Sequence, residues 1–234
     1  MELQQQSAST TSRHPVWLLA GFWFCVIVAL AVAVRRFLAL IRPSPGSRPP
    51  QMEALEATFA SHATLTLMHI IPAAIFVVLA ACVLLRPWRS EWIERLFFPF
   101  GAITGATAYA MSAYSIGGWL ERSAVLVFTT WFLYSLGRAY WFRLGGQEEQ
   151  KRELMTRAVA VLLGIATARP VMGVFFATSA RTHLGPSQFF GIAFWAGFAI
   201  NTVVIELWLH SKRRAQLHQL RVSADRGAQG ETRR

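Results

Sequence analysis

Cysteine, acidic side chains and charge inside the long apolar runs are all scarce in this 234-residue sequence. Only Cys25 and Cys82 occur, each within an apolar run, which excludes a disulfide framework or a CxxC metal site and leaves both as small core residues. Twelve Asp and Glu face 23 Lys and Arg, a formal charge of +11. The basic residues gather at the ends of apolar runs and in the carboxyl tail rather than on one soluble face. Contact with anionic membrane lipids therefore accounts for them, and no nucleic acid partner is implied. GxSxG, HExxH and Walker signatures are absent, as are paired carboxylates inside a run. A hydrolase or ion-driven pump usually needs one of these, so enzymatic activity is left open, leaning against.

What is present is apolar surface. Hydrophobic residues make up 54% of the chain, and charged ones only 15%, bunched between runs. That pattern predicts an all-α integral membrane protein, a six-helix bundle. A bilayer crossing needs about 20 apolar residues. Six runs approach that length: Val16 to Val34, Thr64 to Leu85, Phe97 to Ile116, Ala124 to Phe142, Ala158 to Ala180 and Phe189 to His210. Tryptophans mark many run ends, at Trp17, Trp88, Trp92, Trp119, Trp141 and Trp208, as expected at headgroup level.

The chain divides into a polar tail (1–15), a first span with its flank (16–41), an outer loop (42–62), a five-span core (63–211) and a basic tail (212–234) expected to be mobile and cytoplasmic. The piece RPSPGSRPP, Arg42 to Pro50, is barred from regular helix by its prolines. Placing both termini in the cytoplasm puts fifteen Lys and Arg on the inner side and six outside, with Arg138 and Arg169 within spans. The first span alone points the other way. A cleaved signal peptide ending near Ala31-Val32-Ala33 is the rival reading and would leave five spans.

One stretch breaks the apolar pattern: GIATARPVMG, Gly164 to Gly173, puts Arg169 and Pro170 inside the fifth run. A charge at the bilayer centre costs about 2.5 to 3.5 kcal/mol even on insertion scales, so it calls for a partner. With 1.5 Å of rise per residue, Arg169 lies about 17 Å above the inner boundary of a core about 30 Å thick. His69, on the inward-running second span, lies near 22 Å on the same scale. Tyr109, Ser112, Thr129 and Thr130 fall at comparable depth, so these six residues are the candidate ligand-binding set. Glu206 lies near the inner surface and no other acid falls within a run, which leaves Arg169 without a matched carboxylate. Pro170 frees the Ala166 carbonyl and should kink the helix. Arg169 is then a structural lock on that carbonyl and nearby threonines, the counter-ion of a bound anion, or a side chain snorkelling to a surface.

His62 and His69 share a helix face but stand about 10.5 Å apart along it, too far to chelate one metal. With His183 in the outer loop, they are the available haem ligands. Gly101, Gly105, Gly117, Gly118, Gly191 and Gly197 are read as allowing close helix packing, most clearly the Gly101/Gly105 pair.

Three pieces resemble a widespread bacterial family of small polytopic membrane proteins, domain of unknown function 2306 (DUF2306). They are His69 opening HIIPAAIFVVLAACVLLR, Glu94-Arg95 leading to Phe100-Gly101, and Lys151 to Arg157 followed by Arg169. The resemblance covers roughly Thr58 to Lys212. His69, Arg152, Met155, Arg157 and Arg169 match the family pattern, whereas Glu94 and Lys151 stand where it usually has histidines on the cytoplasmic side. It implies a helical bundle in the bacterial inner membrane without established activity, and the two replacements imply that no inner-side haem or metal site is available.

Three functions compete. One is binding or transport of an anionic or amphipathic ligand in an outer-half polar cavity. The second is a redox protein with haem b held by His69 and His183 or His62, and the third an accessory membrane protein without chemistry.

Overall fold

The computed structural model describes residues 15–42, 57, 59–85, 91–183 and 185–231. Most of the polar amino-terminal tail, most of the outer loop with its proline-rich piece, the 86–90 connection with Arg86, Trp88 and Arg89, and residues 232–234 lie outside them. The described residues are helical and contain no strand. Six long helices follow in order: α1 (Val16–Ile41), α2 (Ala63–Leu85), α3 (Glu91–Ser112), α4 (Gly118–Leu144), α5 (Glu148–Thr182) and α6 (Pro186–Glu231), with further helical residues at 59–61.

Each long apolar run becomes a helix because only helical backbone satisfies its own polar groups where water is absent. Four helices, α1, α2, α5 and α6, are long and apolar enough to cross a membrane by length and composition. α3 and α4 fall short of that measure: Glu91, Glu94 and Arg95 stand in the first turns of α3, and α4 carries Glu121, Arg122, Arg138 and Arg143. Their apolar middles nonetheless pack within the bundle.

α5 is the hub, touching α1, α2, α4 and α6. Its residues Met155, Ala158, Val159, Val161 and Ala168 are buried, whereas α1 buries only Cys25 and Val26. An aromatic seam joins α2, α3 and α4, with Phe76 4.6 Å from Phe97 and edge-on to Phe132 at 5.5 Å between ring centres. Such pairs add about 0.5–1.5 kcal/mol each beyond the area they bury. Against α5, α6 comes closest at Gly197, where a Cβ would lie 2.5 Å from the Ala168 backbone nitrogen. That approach fixes the rotation of α5 one residue before Arg169. Gly118 serves differently from the packing expected of it: it is a turn residue with φ of 60°.

Two sequence expectations meet the structure here. The basic tail begins as helix, since α6 runs on to Glu231. Its continuation, SKRRAQLHQLRVSAD, is rich in helix-forming Arg, Gln, Leu and Ala. It also docks on the start of α5 through Arg213–Glu153 at 2.6 Å and Gln216–Glu149 at 3.0 Å. α5, as expected of the fifth run, continues as helix through Pro170 to Thr182.

Ion pairs close the α4–α5 connection. The Lys151 ammonium, 4% exposed as a residue, donates to Glu94 and Glu148, and Arg143 also reaches Glu94. Arg157 bridges Glu206 on α6 and Glu153 one turn away on α5.

Candidate functional site

All six helices contribute to one cavity of about 260 Å³ toward the end of the bundle that carries the α3–α4 turn. His69 and Arg169, matched in depth from the sequence, both line it, as do Ser112 and Thr129. Tyr109 and Thr130 do not: their hydroxyls bond each other at 2.5 Å on the exposed face between α3 and α4. One residue of offset decides this, because neighbouring helical positions are about 100° apart.

His69 is anchored to α3 by a 3.0 Å bond between its Nδ1 and the Thr107 hydroxyl. That hydroxyl also donates to the Ile103 carbonyl at 2.7 Å. Either group can be the donor in the His69–Thr107 bond, depending on the ring tautomer. His62 also lines the cavity, stacked on Tyr114 with ring centres 3.7 Å apart. His183 stands apart, exposed at the α5 carboxyl end in the left-handed conformation. The three candidate haem ligands are therefore not brought together. Among the described residues no three His, Cys, Asp or Glu side chains gather as a metal-ion site.

Arg169 is the least satisfied group in the cavity wall. Its Nη1 lies 3.9 Å from the Met172 sulfur, and its buried Nε has no hydrogen-bond partner among the described residues. The freed Ala166 carbonyl and the threonines of a structural lock are not among its partners. Arg35 and Arg36 on α1 are close enough for their charges to act on Arg169. Arg36 itself lines the cavity, its guanidinium 3.9 Å from the centre of the Phe59 ring.

Among the described residues, a carboxylate that the sequence reading missed acts on Arg169. Glu121 is 8% exposed, lines the cavity and acts electrostatically on Arg169. Its Oε2 accepts the Gly117 backbone N–H at 2.5 Å, so it also caps the first turn of α4, where a negative charge suits the helix dipole. Hydropathy starts the fourth run at Ala124, but α4 begins at Gly118, and α6 covers its first turn through Gly191, where a Cβ would meet Leu120 at 2.7 Å. An acid three residues before an apolar run was the available signal. Glu206, set aside as a partner for Arg169, is bound by Arg157 at 2.5 Å.

A second polar chain, also unforeseen, crosses the bundle below. Thr167 donates to Asn201 Oδ1 at 2.7 Å, and the Asn201 amide donates to the Ala160 carbonyl at 3.2 Å. It ties α5 to α6, and Thr167 also meets the Cys25 sulfur on α1 at 3.6 Å.

Chemically, the described residues offer guanidinium and hydroxyl donors, two imidazoles and a carboxylate at one end of an otherwise apolar slot. Guanidinium donors of this kind bond carboxylates and phosphates. Comparisons of the chain with family models, with curated proteins and with solved structures give no significant match.

Proposed function

We propose that the protein binds or transports an anionic ligand, held in this cavity with Arg169 as its principal counter-charge. The observation that carries the reading is the buried Nε of Arg169, which has no hydrogen-bond partner among the described residues and stands in a wall whose carboxylate, Glu121, is already engaged by backbone. An arginine taken from water without its bonds is costly, and an anion that accepts them offsets the cost. A structural lock would spend those donors on protein acceptors.

The reading extends to the whole chain. All six long helices cross a bacterial inner membrane, the cavity opens in its outer half, and both termini are cytoplasmic. The distribution of Lys and Arg supports that orientation. Membership in domain of unknown function 2306 belongs to the same proposal. It rests on the match of His69, Arg152, Met155, Arg157 and Arg169 to the family pattern.

The test is anion-dependent stability of the protein reconstituted in zwitterionic lipid nanodiscs. Inorganic phosphate and acetate raise the unfolding temperature of the native chain, and Arg169→Gln removes the response while leaving the protein folded. A response of equal size in the variant contradicts the assignment.

A further inference from the structure

The cavity is long, and its polarity is sorted along its length. On α4 it runs from Glu121 to Phe132, eleven residues and about 16 Å of helix. On α5 it runs from Arg169 to Val161, about 12 Å, and on α2 from Leu65 to Val77, about 18 Å, with His69 four residues in from Leu65. In all three the titratable group stands toward the α3–α4 turn and the far end is apolar. α1 repeats the order from Arg36 to Ala29. The deep hydroxyl of Thr104 is spent on the Phe100 carbonyl at 2.7 Å and offers the slot no donor.

A small inorganic anion would use only the polar end. About 260 Å³ holds roughly eight groups of water size at about 30 Å³ each. We infer that the ligand is a single-chain amphiphile, a carboxylate or phosphate head bound by Arg169 with one acyl tail lying along Val77, Phe128, Phe132 and Val161. This rests on the anion-binding reading above and names its ligand class. Two acyl chains exceed the volume, and a neutral chain leaves Arg169 uncompensated.

The experiment titrates acetate, hexanoate and decanoate, with decanol as the uncharged control, into the full chain in zwitterionic nanodiscs. Decyl phosphate is run in parallel to separate a fatty-acid ligand from a single-chain phospholipid. Binding should tighten by up to about fourfold per added methylene until the slot is full, and decanol should bind at least tenfold more weakly than decanoate. Whichever of decanoate and decyl phosphate binds more tightly identifies the head. Ala74→Phe, which fills the tail region away from Arg169, should flatten the chain-length series and spare acetate and phosphate. Equal affinity for acetate and decanoate overturns the tail assignment but leaves the anion site standing. Absence of binding by every anion, or equal binding of decanol and decanoate, overturns the anion site itself. An unchanged series in Ala74→Phe overturns the placement of the tail, and the native-chain series is decisive if that variant does not fold.

Discussion

At the scale of single residues, the cavity depends on where charge is left unmatched. Arg169 and His69 were legible in the sequence because helical rise converts position into depth, and both line the cavity. Glu121 and Arg36 were not, because hydropathy drew the ends of the runs inside them and burial by a neighbouring helix leaves no trace in the local sequence. Glu121 binds the Gly117 N–H while balancing part of the arginine charge. Glu121→Gln should therefore keep the cap in weaker form, cost about 1 kcal/mol of stability, and tighten anion binding by removing the opposing charge; weaker binding in a folded variant would assign Glu121 to the ligand site in another role. Gly197 acts through shape alone. Gly197→Val should overpack the contact with Ala168 and destabilise by about 1–3 kcal/mol in denaturant unfolding, and a neutral effect would show that α6 can shift away from Arg169.

Among the elements, the long apolar runs announced α1, α2, α5 and α6 plainly. α3 and α4 were also legible as helices, although their charged ends keep them below the others in apolar character. What the sequence concealed was the carboxyl end of α6. A run of basic residues reads as a solvated tail, yet Glu149 and Glu153 on α5 supply its partners and α6 extends to Glu231. The two ion pairs of this region differ in weight. Arg213 is half exposed, and Arg213→Ala should cost less than about 1 kcal/mol. Arg157 is mostly covered and holds carboxylates on two helices, so Arg157→Met should cost about 2–4 kcal/mol and detach α6 from α5, read as loss of hydrogen-exchange protection near Glu206. Equal costs for the two would mean that burial does not distinguish them.

For the whole molecule, six helices enclose a slot that is charged at one end and apolar along the rest. No single run encodes that slot. Its two ends come from residues scattered over the whole chain, and only their shared level in the bundle makes them a site. Topology follows the same logic: a single cysteine placed at Ser223 should be labelled only from the cytoplasmic side of intact cells, and one at Ser187 only from outside. Labelling of both from one side would refute six crossings with the termini inside.

The most direct measurement is a calorimetric titration of decanoate into the nanodisc-embedded protein, native and Arg169→Gln, at one salt concentration. The account predicts saturable binding to the native chain, weakened at least tenfold in the folded variant. Indistinguishable affinities in the two proteins would contradict it.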